Sequence, residues 1–220
     1  MDQLNHTVRS HAEDIAASQP IPTPAPAPSP YADICAPAIV PYLNSAEQAF
    51  VSSPENKRLY STFRFDRPTG HDGGGPFNDA VELLQQVGGA LPSLWPRTIE
   101  IQMIQWSTQR IVRRIEVDYV DSQVRFGHGS EGTVAESLTI SLEQGERINR
   151  LKLGKGEDIW AVEGVAYVEV FTTAGQNLRI GDPTGKEVID YYPYDGCVGL
   201  KGFWGGQGDV IDKLAPIWGM

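Results

Sequence analysis

From Thr98 onward the chain alternates apolar and polar residues in short runs. Thr98 to Trp106 keeps the alternation over nearly its whole length. Ile111 to Val120, Ser137 to Leu142, Ile148 to Leu153, Ala166 to Thr172 and Gln176 to Ile180 repeat it. A period of two sends one set of side chains to each face of an extended strand. Gln144-Gly145, Gly154, Ala174-Gly175 and Asp182-Pro183 separate these runs with turn formers. Such short connections predict antiparallel pairing with one face inward, and hence an all-β sandwich, barrel or prism. Leu59 to Phe65 alternates in the same way and reads as a further half-buried strand. Two helical signals interrupt the pattern. Asn78-Asp79 can cap Ala80 to Val87, with Gly88-Gly89 ending that helix. Ser45-Ala46-Glu47-Gln48 resembles a capping box that opens a short helix through Phe50.

These signals divide the chain in three. Residues 1–31 are polar and proline-rich. The alternation of proline with small residues from Pro20 to Pro30 removes amide donors and fixes φ, which gives an extended spacer outside any core. Residues 32–58 form an N-terminal extension, partly helical, and residues 59–220 the main β-domain.

Composition narrows the function classes. At 220 residues with 40% apolar content the chain can bury a substantial core. A net charge of −10 argues against nucleic acid or an anionic membrane as partner. Arg110, Arg113 and Arg114 cluster, but beside Glu116 and Asp118 they read as the solvated face of a strand. Cys35 and Cys197 are the two cysteines; they can pair or remain two thiols, and they offer neither a disulfide framework nor metal spacing. The first residues lack the basic start and apolar run of a secretory leader, and no segment has the roughly 20 apolar residues of a membrane span. A cytoplasmic protein is expected, or one secreted by an unconventional route, with the Asn5-His6-Thr7 sequon idle.

The chemistry concentrates in glycine-rich loops. They occur at Gly70 to Gly75, Gly127 to Gly132 and Gly205 to Gly208, and three such loops suit a pseudo-threefold architecture. After the third, Gly208-Asp209-Val210-Ile211-Asp212 sets a carboxylate beside a run of backbone N–H groups on a tight bend. A sugar hydroxyl both donates and accepts, and this mixture offers both counterparts. No nucleophile elbow, zinc motif or phosphate loop is present. Asp209 and Asp212, three residues apart on one loop, do not straddle a sugar as glycosidase carboxyls do. A non-catalytic role is expected, with no metal and no cofactor.

Taken as an ordered set, three stretches resemble the jacalin-related lectins. The opening is Gly70-His71-Asp72-Gly73-Gly74-Gly75-Pro76-Phe77-Asn78-Asp79. The middle is Phe171-Thr172-Thr173-Ala174-Gly175, and the close runs from Val198 to Phe203 into Gly208-Asp209-Val210-Ile211-Asp212 and a last strand through Trp218. The resemblance covers residues 60–220 and implies a β-prism: three Greek-key antiparallel sheets about a pseudo-threefold axis, with sugar bound by loops at one end. Carried over, Gly74, Asp209 and Val210 would give backbone N–H groups, Gly208 would permit the turn, and the Asp212 carboxylate would accept from two hydroxyls. His71 stands where the family has glycine, and residues 80–96 are inserted.

The same resemblance implies the ligand. Galactose binders of the family use a free amino terminus cut at the opening loop, whereas the close here is similar to that of mannose and glucose binders. Mannose-containing glycans or glycoproteins are the expected partners. A homo-oligomer is also expected, because one shallow hexose site gives only about millimolar affinity. The alternative is a protein-interaction module on a β-prism scaffold with a vestigial sugar site.

Overall fold

The computed structural model describes residues 43–88, 93–120, 123–156 and 164–220. The proline-rich segment and Cys35 lie outside the described residues. Two short helices come first, α1 (Ser45–Ser52) and α2 (Pro54–Tyr60). They are followed by β1 (Phe63–Phe65), β2 (Thr69–Gly70), β3 (Gly75–Asn78) and helix α3 (Asp79–Val87). The remaining strands are β4 (Pro96–Trp106), β5 (Gln109–Tyr119), β6 (Arg125–Gly129), β7 (Glu136–Ser141) and β8 (Ile148–Lys155). Then come β9 (Val165–Thr172), β10 (Asn177–Gly181), β11 (Val188–Tyr191), β12 (Gly199–Gln207) and β13 (Ile211–Gly219).

The strands form three antiparallel sheets. Two have the orders β6-β5-β4-β7 and β10-β9-β8-β11. Each is a Greek key, in which three successive strands meander and the fourth returns beside the first. The other sheet has the order β1-β13-β12-β3, with β2 also on β13. It is the same Greek key begun at β12: β12 and β13 are its first two strands, β1 and β2 its third, β3 its fourth. The expected β-prism with pseudo-threefold symmetry is therefore present, with one of its three sheets assembled from distant parts of the chain.

Backbone detail repeats with the sheets. In each, the second strand carries a bulge residue that the register skips: Asp212, Arg113 and Ala166. Opposite each bulge the third strand ends in a left-handed glycine, namely Gly70 (φ 129°), Gly129 (φ 89°) and Gly181 (φ 84°). A Cβ on any of these would overlap the carbonyl oxygen of its bulge residue. Close backbone approach, not flexibility, is what these three positions require of glycine.

The core lies where the three sheets face one another. Ile99, Ile101 and Met103 of β4, Leu151 and Leu153 of β8, and Leu214 and Ile217 of β13 are fully buried there. Beneath the terminal sheet, the buried Asp66 carboxylate accepts from the Trp218 indole (2.7 Å) and the Tyr194 hydroxyl (2.7 Å), while its backbone oxygen accepts from Trp204 (3.0 Å). Burial, partly offset by these donors, pushes that carboxyl up to about 6.

The sequence expectations need four corrections. The cap of α1 is Asn44, not Ser45, and Glu47 returns its bond to the Asn44 amide (2.8 Å). Leu59 to Phe65 is not one strand: Ser53 caps α2 with Pro54 behind it, so the helix runs to Tyr60 and only Phe63–Phe65 is extended. Gly205 and Gly206 are strand residues pressed on Lys213, which leaves 208–210 as the loop. Finally, Gly127 to Gly129 belong to β6, and the residues after them bond the half-buried Arg113.

Candidate functional site

The hairpin between β12 and β13 and the loop between β2 and β3 meet at one end of the terminal sheet. Gly70 pairs with Lys213, and the His71 amide donates to the Asp212 carbonyl (2.8 Å). Asp72 and Lys213 form an ion pair at 2.9 Å. The opening loop is thus clipped to β13 by backbone and side chain together. His71, the departure from glycine, is exposed and does not crowd the loop.

Asp212 occupies the bulge, and a bulge re-aims its side chain out of the regular alternation. The carboxylate turns toward the opening loop. An ideal Cβ on Gly73 would sit 3.2 Å from Asp212 Oδ1, and one on Gly74 (φ 66°) would overlap both Asp212 Oδ2 and the Gln207 carbonyl. Glycine at 74 is required by conformation and by space. Asp212 itself is half-buried, and its Oδ2 is buried without a hydrogen-bond partner among the described residues. Desolvation raises the carboxyl above its ordinary range, with His71 and Lys213 pulling the other way.

Gly208 and Asp209 are exposed at the tip, and the Gly208 amide donates to the Val210 carbonyl (2.9 Å). The Val210 side chain is buried, so this residue can offer a ligand its backbone only. The structure therefore brings Gly74, Gly208, Asp209, Val210 and Asp212 into one constellation, with the acid under the glycines of the opening loop.

Sequence reasoning missed the contribution of a second sheet. The Ser130 hydroxyl donates to the Asp209 carbonyl (2.8 Å), and the Gly129 amide donates to Gln207 Oε1. Seventy-odd residues separate these partners, and no local pattern announces such a pairing.

Helix α3, the inserted segment, does not roof the site. It packs its buried Ala80, Val81, Leu83 and Leu84 beside β12. Asp79 at its start accepts from the Phe203 amide (2.8 Å) and pairs with His128 Nε2 at 2.5 Å, while Phe77 stacks on the imidazole at 3.9 Å. Asp79, Glu82 and His128 form the described cluster nearest to a metal-ligand set, but these bonds already engage Asp79 and the imidazole within the protein.

No family model matches the sequence, and no relative among curated proteins matches it either. Solved structures do. A mannose-binding jacalin-related lectin from Ananas comosus superposes with a TM-score of 0.54 at 17% identity, covering 72% of this chain and 98% of that one. Malaysian banana lectin gives 0.53 at 16% identity, with 70% and 96% covered. Artocarpin, in a complex with mannotriose, gives 0.54 at 17%, with 73% and 99% covered. At such identities it is the architecture that is shared, and the described chain is a β-prism of the jacalin-related lectin type.

Proposed function

We propose that this protein is a non-catalytic lectin for mannose- and glucose-type glycans, held by Gly74, Gly208, Asp209, Val210 and Asp212. The observation that carries the reading is the Asp212 carboxylate, raised on a bulge beneath Gly73–Gly74 with one oxygen lacking a donor. A buried acceptor without a donor is costly, and a sugar hydroxyl supplies the missing proton. The tip amides supply donors for the ring and neighbouring oxygens, which gives the two-way hydrogen bonding that a hexose needs. The structural neighbours named for mannose binding or mannotriose support the sugar class. Residues 1–69 precede the opening loop, so an uncut chain offers no free amine there for the galactose mode.

The alternative, a protein-interaction module with a vestigial site, draws on the same atom. Asp212 Oδ2 is closed off beneath the loop, so a hexose must shift Gly73–Gly74 to reach it. Titration of the full chain with methyl mannoside and methyl galactoside separates the readings. Mannoside binding at about millimolar Kd is expected, and Asp212→Asn should weaken it at least ~100-fold because a charge-assisted acceptor becomes a donor. Binding of galactoside alone overturns the specificity. A folded chain that binds neither sugar leaves the interaction module.

A further inference from the structure

The sister of Asp212 on the β6-β5-β4-β7 sheet is Arg113, which occupies the same bulge opposite the same left-handed glycine. On the terminal sheet the loop after that glycine leaves the bulge carboxylate with an oxygen unpaired. On this sheet the loop closes over the bulge side chain and satisfies it. Arg113 Nε donates to Ser130 Oγ (3.1 Å) and toward the Ser130 carbonyl (3.3 Å). Its Nη2 donates to the Glu131 carbonyl (2.6 Å) and Nη1 to the Thr133 carbonyl (3.3 Å). Gly132 (φ 146°) lies so close over the guanidinium that a Cβ would overlap it. The planar fork of arginine suits a curved row of carbonyls in a way that a lysine ammonium does not.

One consequence reaches the sugar hairpin. Arginine has donors only, so Ser130 Oγ must accept from it, and the single hydroxyl proton is left for the Asp209 carbonyl (2.8 Å). That carbonyl shares a planar trans peptide with the Val210 N–H. Fixing the oxygen on one side fixes the direction of the N–H on the other. Gly129, bonded through its amide to Gln207 Oε1, gives the hairpin a second tether from the end of β6.

We propose that Arg113 is a positioning residue: its guanidinium fills the sister site of its own sheet and, through Ser130, orients the Asp209–Val210 peptide that receives the sugar. Arg113 touches no ligand in this arrangement. The proposal rests on the lectin reading for its effect on affinity, but the brace itself is independent of that reading.

The test compares Arg113→Lys, Ser130→Ala and Ser130→Thr in the full chain by methyl mannoside titration and backbone amide order parameters. Arg113→Lys and Ser130→Ala should each weaken mannoside about tenfold, the size of one lost hydrogen bond. Both should lower the order parameters of the Asp209 and Val210 amides while β12 and β13 stay rigid. Ser130→Thr, which keeps the hydroxyl, should restore both readouts. Unchanged order at 209 and 210 in Ser130→Ala overturns the brace, and loosened amides with wild-type affinity overturn the positioning role. Should Arg113→Lys fail to fold, Ser130→Ala decides. A wild-type chain that binds no mannoside sinks the lectin reading, while the order parameters still judge the brace.

Discussion

Asp212 combines a proposed function with a thermodynamic cost. Its carboxyl titrates above the ordinary range because burial disfavours the charge. Since the folded pKa exceeds the unfolded one, the contribution of this group to stability is full at low pH and is lost as pH rises through the raised value. Two outcomes follow. Mannoside affinity should fall as pH drops toward and below that value, because a protonated carboxyl loses acceptor strength; titrations from pH 7 to pH 4 would show it, and Asp212→Asn should be flat. The same variant should unfold at neutral pH no earlier than the wild type, which urea melts would check. Gly74 makes the complementary point. At φ 66° and against Gln207, Gly74→Ala should strain the opening loop by ~1–2 kcal/mol and disturb the sugar site more than the core.

Among the elements, α3 and β6 are joined by the buried His128–Asp79 pair. Burial alone would lower the imidazole pKa, but the facing carboxylate, with Glu82 behind it, more than offsets this and raises it. A raised histidine stabilises fully below its unfolded pKa, and that contribution is lost as pH rises through the folded value. The His128 contribution should therefore decline above about pH 6.5, and the stability that the wild type holds over His128→Asn in thermal melts should shrink across that range. Elements of this kind also show what could be read in advance. β4, β5, β7, β8, β9 and β10 declare themselves by alternation, and α3 by Asn78 and Gly88, because these signals are local. β6 was concealed by its glycines, which serve close packing on Arg113 and Arg114 rather than a turn. α2 was concealed because Leu59 and Tyr60 satisfy either period. The acid and glycines of the site were legible through their resemblance to a known pattern. Ser130, Gln207 and Arg113 were not, since their roles arise only when two sheets meet.

For the molecule as a whole, the threefold repeat predicts valency. The three bulges carry an acid, an arginine and an alanine, so only the terminal sheet presents a carboxylate acceptor at this position. Calorimetric titration should give one mannoside per chain, and a second equivalent would show that other groups can replace the acid. With one weak site per chain, as proposed, useful attachment to a glycan-coated surface would be a matter of linked copies, so agglutination should appear only where sedimentation finds the chain self-associated. No helix among the described residues is long and apolar enough to cross a membrane.

The terminal sheet also dictates when the protein can work. Its first-made strands, β1 to β3, have nothing to pair with until β12 and β13 emerge from the ribosome, well over a hundred residues later. The other two Greek keys are complete by then. A nascent chain consequently carries the opening glycines but no acid beneath them, and the proposed sugar site would be assembled only in the finished molecule.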